Sequence, residues 1–183
     1  ITKLPPHRRA HRGIARVFQR NLLFRSLMVQ ENVLAGCHLR SGRGFGERGL
    51  HEEAMDILRF VGLAQQADEM AVNLPHGQQR TLCLAIALAT QAQLVLLDEP
   101  LTGMTGEETE AMMRMIRTLR NERGITLVVV EHNIRAVTRL CDRVAIMSSG
   151  RIVTVDSPSN LSENHGGTLE EVYLTLTGRT LEP

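Results

Sequence analysis

Leu94-Val95-Leu96-Leu97-Asp98-Glu99-Pro100 constrains the fold of this chain more than any other stretch. Four consecutive apolar residues make a short strand buried in a sheet. Two carboxylates then appear where that strand emerges. In open α/β sheets, ligands bind at the carboxyl ends of the strands. There one carboxylate can hold Mg2+, directly or through water, and a second can polarise an attacking water. Taken alone, the same pattern also fits a strand that ends in a polar turn.

The rest of the chain builds a parallel α/β sheet around this strand. Ile125–Val130 is a β-branched run of the kind buried on both faces of a sheet. Gly13–Phe18 is a shorter apolar run that leads to Gln19 and predicts the end of another strand. Glu107–Arg123 carries Met112, Met115, Ile116 and Leu119 on one helical face and stops at Gly124. Asn133–Cys141 predicts a helix, and Arg143–Met147 and Arg151–Val155 predict strands about a turn at Ser149-Gly150. This alternation of strand and helix from Leu94 onward points to a parallel sheet. Residues 24–73 show no strand pattern and predict a helical lobe, with helices over Val29–Leu39 and Glu52–Val61 and a Gly-rich loop over Ser41–Gly49. Gln78–Thr90 is apolar on nearly every face and predicts a buried helix. There is no internal repeat.

Composition narrows the function. With 183 residues and 43% apolar content the chain can bury a core, and with 3% aromatics that core is aliphatic. Net charge is +1, from 21 basic and 20 acidic residues, which gives no electrostatic reason to expect nucleic acid or an anionic membrane as the main partner. The basic cluster His7, Arg8, Arg9, His11, Arg12 reads as a solvated surface turn. Cys37, Cys83 and Cys141 are odd in number and far apart, so they read as buried, reduced thiols of a cytosolic protein. The apolar runs are too short to cross a bilayer, and no signal peptide is visible. The chain opens on Ile1, so a start upstream is expected.

Three further features carry possible chemistry. His132 follows the Ile125–Val130 strand, behind Glu131, where an imidazole can hydrogen-bond a terminal phosphate; a satisfied strand-end histidine is the alternative. Gln19 ends its apolar run, and a neutral amide can bind Mg2+ and water without adding charge; a solvated strand-end residue is the alternative. Leu74-Pro75-His76-Gly77-Gln78-Gln79-Arg80 leads into the buried helix, and a Gly at a helix N-terminus exposes N–H groups suited to phosphate. An ordinary junction with Pro in the first turn would read the same. Gly44-Phe45-Gly46-Glu47-Arg48-Gly49 is a literal G-x-G-x-x-G but follows helix, not strand, so it reads as a loop and not a dinucleotide site.

In combination these motifs resemble an ATPase family. The order Gln19, Leu74–Arg80, Leu94–Pro100, His132 resembles the Q-loop, signature, Walker B and switch histidine of ABC-transporter ATPases, over essentially residues 1–156. Within that family, Leu4-Pro5-Pro6-His7-Arg8, Gly13–Gln19, Leu23-Phe24, Glu31-Asn32-Val33-Leu34, Gln78-Gln79 and Glu131-His132-Asn133 look like the ATPases of branched-chain amino acid importers. The resemblance implies a P-loop NTPase-like α/β fold: a parallel sheet core with a helical lobe. The expected division is 1–23, part of the core with the Q-loop; 24–92, helical lobe and signature helix; 93–156, α/β core with Walker B and the switch histidine; and 157–183, a C-terminal tail.

It further implies ATP and Mg2+ as cofactors, with Asp98 and Gln19 on the metal, Glu99 as general base and His132 beside it as a catalytic residue. Pro75, His76, Gly77 and Gln78 would face the nucleotide of a second ATPase subunit, in a homo- or heterodimer, and Gly103, Met104 and Thr105 would form the D-loop. Transmembrane permease subunits, and indirectly a periplasmic solute-binding protein, would complete a machine on the cytoplasmic face of the plasma membrane, with no role for nucleic acid.

The chain departs from the family in three ways. The P-loop, G-x-x-x-x-G-K-[ST], is missing: the only lysine is Lys3, between Thr2 and Leu4. An N-terminal truncation and poor ATP binding by these residues alone are the expectation. Pro75 stands where Ser is usual, and Thr105 where many relatives carry Asp or Asn. Two other readings stay open: an exporter ATPase, because Thr168–Arg179 resembles the tail of some drug- or lipid-export ATPases, and a remnant that binds a partner without hydrolysing ATP.

Overall fold

The computed structural model describes residues 1–38 and 46–178. They fall into two units, Ile1–Val130 and Glu131–Pro183.

In the first unit, the three apolar runs become strands β1 (Ile14–Val17), β2 (Leu94–Asp98) and β3 (Thr126–Val130), all parallel and in the order β1-β2-β3. The register sets Val17 opposite Leu97, and Asp98 opposite Val130. Val17, Val95 and Leu97 turn one face of the sheet into core, and helix α4 (His76–Ala89) packs against β1. The other face is open. Val128 and Val130 are 47% and 58% exposed, so β3 is not buried on both faces as its composition predicted. A β-branched run reports strand propensity, but burial depends on which elements cover the sheet. The parallel sheet also ends at β3, because the two strands that follow pair only with each other.

The predicted helical lobe forms from α2 (Val29–Cys37), α3 (Glu47–Val61) and α4, which pack on one another. Leu39 and the loop residues to Phe45, including the first two positions of the G-x-G-x-x-G, lie outside the described residues. The loop's last residues, Glu47–Gly49, are already helical, with Gly46 as N-cap. α3 buries Leu50, Ala54, Ile57, Leu58 and Val61 and closes on Gly62, whose left-handed φ of 78° suits glycine. Gly36 lets α2 touch α4: a Cβ there would stand 2.6 Å from the Ile86 carbonyl oxygen and 2.8 Å from the Ala89 Cβ.

Asn32, fully buried in α2, pins the segment ahead of that helix. Its Oδ1 accepts from the Phe24 N–H at 2.9 Å, and its Nδ2 donates to the carbonyls of Phe24 and Met28. A bridge between Met28 and Met70 adds a trace of strand pairing inside the lobe. The basic N-terminal cluster begins as a short helix, α1 (Pro6–Ala10), and only His11 and Arg12 lie in the exposed turn that follows.

Helix α5 (Gly106–Asn121) buries Met112, Met113, Ile116 and Leu119. Met113 thus replaces the expected Met115, which is half-buried. Met112, Ile116 and Leu119 keep the predicted spacing, and the buried stripe is wider than a single row.

The second unit holds α6 (Ile134–Leu140), an antiparallel hairpin of β4 (Val144–Ser148) and β5 (Arg151–Asp156), α7 (Pro158–His165) and α8 (Leu169–Thr177). Ser149 and Gly150, at φ 48° and 75°, form the two-residue turn. Two positive φ values in succession match the strand twist of a hairpin. Its core is Val137, Ile146, Leu161, Leu169 and Val172. Cys37 and Cys83 are buried as expected, Cys141 only partly. Burial pushes the Cys83 thiol up to about 11, which keeps it protonated and unreactive at neutral pH.

Candidate functional site

The parallel register brings the ends of β1 and β2 together, and with them the residues singled out in each. Gln19 Nε2 donates to Glu99 Oε2 at 2.7 Å, and Thr102 Oγ1 donates to the same oxygen at 3.1 Å. A carboxylate only accepts, so the Gln19 amide must turn its NH2 toward it. Asp98 is held differently: Arg16 Nη2 donates to its Oδ2 at 2.8 Å. Arg16 also stacks on Phe18, with 4.4 Å from Cζ to the ring centroid.

Glu99 has a left-handed backbone, φ 47°, immediately before Pro100. Such a conformation costs a non-glycine residue about 1–3 kcal/mol and clusters at functional sites. It is held by the Glu99 N–H bonding the Val130 carbonyl at 2.9 Å and by the Thr102 N–H returning to the Glu99 carbonyl at 3.3 Å. The turn swings the Glu99 side chain out of the strand and toward Gln19.

A second cluster joins the Leu74–Arg80 motif to the turn after β2. Pro75 is the exposed N-cap of α4, with no side-chain cap bond, so it stands one position ahead of the first turn in which it was expected. His76 lies over Gly103, where a Cβ would come 3.2 Å from His76 Cε1, and φ +76° at Gly103 also favours glycine. Met104 is half-buried in the same turn. Gly77 is buried against Glu108: a Cβ on Gly77 would fall 2.1 Å from Glu108 Oε1. Gln78, half-buried, follows in the first turn of α4.

Thr105 turns out to be the N-cap of α5. Its N–H donates to Glu108 Oε2 at 2.8 Å, and its Oγ1 accepts from the Glu108 N–H at 3.3 Å. The Thr105 backbone bond, then its hydroxyl, and the nearby His76 lower the Glu108 pKa. Glu108 is the residue that sequence reading missed. The signal was present as Thr105-x-x-Glu108, a capping box.

His132 belongs to the second unit, two residues past β3 in the chain. It is exposed, and its N–H donates to Glu131 Oε2 at 3.2 Å. Asn133 caps α6 by accepting from the Ala136 N–H at 3.1 Å.

Asp98, Glu99, Gln19 and Thr102 offer hard oxygen donors that fit Mg2+. No three acidic, His or Cys side chains converge into a metal cage among the described residues. A cation here would take its other ligands from phosphate and water, as Mg2+ commonly does.

Comparison with known proteins decides the family: the ABC transporter family matches residues 2–102. This chain belongs to the ABC transporter family. The ABC ATPase fold is evident as well: the chain superposes on the ADP-bound ATP-binding cassette MJ1267 with a TM-score of 0.77 at 25% identity, covering 95% of this chain and 73% of that one. Among relatives, the high-affinity branched-chain amino acid transport ATP-binding protein BraF of Pseudomonas aeruginosa is 30% identical over 176 residues, 90% of this chain and 69% of BraF. The lipopolysaccharide export ATP-binding protein LptB of Haemophilus influenzae is also 30% identical, over 95% of this chain and 70% of LptB. ABC ATPases hydrolyse ATP and couple it to transport. Relatives at the same identity thus include both an amino acid transport protein and a lipopolysaccharide export protein. No helix among the described residues is long and apolar enough to cross a membrane.

Proposed function

We propose that this chain works as the ATPase subunit that energises import of branched-chain amino acids or related amino acids and amides. Glu99 carries the reading. A carboxylate held at left-handed φ, hydrogen-bonded by Gln19 and Thr102 at the carboxyl edge of a parallel sheet, is poised to accept a proton from water. Asp98 and Gln19 would hold Mg2+, which screens phosphate charge when bound. Glu99 takes the proton of the attacking water, and His132 steadies the terminal phosphate from the next loop in the chain. The α4 N-terminus, with Pro75, His76, Gly77 and Gln78, addresses the nucleotide on a second ATPase subunit, and Gly103, Met104 and Thr105 line the same face.

Import is favoured by motifs spread over the first 35 residues and by the relatedness to BraF. The export reading rests on the tail and on LptB. The tail's apolar residues, Leu169, Val172, Tyr173 and Leu176, pack into the core of the second unit, so packing alone accounts for them. Permease subunits fit the exposed apolar residues Leu22, Phe24 and Val72. A position on the cytoplasmic face of the plasma membrane, with a periplasmic binding protein upstream, follows from that partnership.

The test is Glu99→Gln in a protein that also carries a G-x-x-x-x-G-K-[ST] segment ahead of Ile1. Single-turnover hydrolysis should slow by about 10²–10⁴-fold, the usual worth of a general base, with ATP binding retained. An unchanged chemical step would place the base elsewhere. Residues 1–183 alone, which contain no Gly-Lys pair, should show no magnesium-dependent turnover. Reconstitution with permeases and a binding protein, with uptake of labelled leucine measured into vesicles, separates import from export.

A further inference from the structure

The two adjacent carboxylates are held by different chemistry. Neutral donors, Gln19 and Thr102, hold Glu99, whereas a cation of the chain itself holds Asp98. Arg16 stands opposite Leu96 in the β1–β2 register, and Asp98 lies two residues further along the same face of β2. The guanidinium therefore reaches Asp98 diagonally, within the span of neighbouring strand positions. Phe18, two residues after Arg16, supplies a ring against which the guanidinium plane rests. Ion pair and stacking together hold one nitrogen of a permanently charged guanidinium on an oxygen that a metal would use.

A divalent cation and a guanidinium compete for that oxygen. Mg2+ requires close octahedral contacts at about 2.0–2.1 Å and keeps its remaining waters, and a neighbouring positive charge repels it. We propose that Arg16 is the resting counter-ion of Asp98, and that a divalent cation taken up by Asp98 must compete with it. Arg16 is thus a positioning residue. It holds the Asp98 carboxylate in place before the metal arrives, and it sets the affinity with which the metal is taken. Phe18 gives the displaced guanidinium a surface on which to stay. This rests on the reading of Asp98 as a metal ligand, and the experiment separates the two.

The experiment titrates Mn2+ into the 183-residue chain and follows site-specific paramagnetic broadening of the Asp98 and Glu99 amides in 15N spectra. Four proteins are compared: wild type, R16Q, R16K and D98N. R16Q should bind Mn2+ about two- to fivefold more tightly than wild type, the range left to an exposed and screened ion pair. R16K keeps the charge but loses the planar fork and should fall between them. D98N should abolish the broadening. If D98N abolishes binding while R16Q binds no more tightly than wild type, Arg16 does not compete with the metal and the proposal is overturned. If D98N leaves the broadening unchanged, Asp98 is not the ligand, and the reading of the site fails with it. Should R16Q lose its dispersed spectrum, R16K decides: affinity equal to or below wild type overturns the proposal.

Discussion

Pro75 and Thr105 stand where relatives of this family carry other residues, and at residue scale their consequences differ. Thr105 is a helix N-cap, a position that Ser, Thr, Asp and Asn fill almost interchangeably, so its difference from Asp or Asn leaves the capping of α5 intact. Pro75 is also an N-cap, but it brings no side-chain acceptor, and α4 begins without a side-chain cap bond. Pro75→Ser should therefore stabilise the chain by about 0.5–1 kcal/mol, read as a raised urea midpoint at unchanged slope. Under the proposed function it should also raise turnover at the partner's nucleotide. A reconstituted dimer with one P-loop lysine disabled at a time checks this. A gain confined to this chain's own nucleotide would contradict it.

At the scale of elements, two helix N-termini lean on one carboxylate. Glu108 closes the capping box of α5 and also fills the space beside Gly77 in α4. A methyl at position 77 must push that carboxylate aside, which costs the cap. Gly77→Ala should destabilise by about 1 kcal/mol or more, and so should Glu108→Ala. The double variant should lose less than the sum, because both changes remove the same contact. Additive losses in denaturant titrations would show that Gly77 matters for another reason. The individual elements were legible: the strand ahead of Asp98, the buried α4 and the stripe on α5 all follow from apolar spacing. Their lateral contacts were not, because no periodicity links residue 77 to residue 108.

For the molecule as a whole, three carboxylates at helix starts tie stability to pH. Glu108 and Glu171, through backbone and hydroxyl bonds from Thr105 and Thr168, and Asp156, through the Ser157 N–H and Asn160, all have lowered pKa values. A carboxyl group with a folded pKa below its unfolded value stabilises fully above the unfolded value and loses that contribution as pH falls through the folded one. Stability should hold above the ordinary Glu value of 4.5 and decline below it. Glu171→Gln should flatten that decline for the second unit, as thermal unfolding between about pH 3 and 7 would reveal.

By itself the sequence determined the five strands and helices α2 to α6, though not α1, α7 or α8, that Asp98 and Glu99 leave a strand at its carboxyl end, and which family the motif order resembles. Those properties depend on neighbours within a turn or two. Tertiary structure decided the rest: that Gln19 reaches Glu99 and Arg16 reaches Asp98, that one face of β3 is open, and that β4 and β5 pair only with each other. The two side-chain pairings join residues about 80 positions apart. Strand register and packing select them, and local propensity carries no record of either.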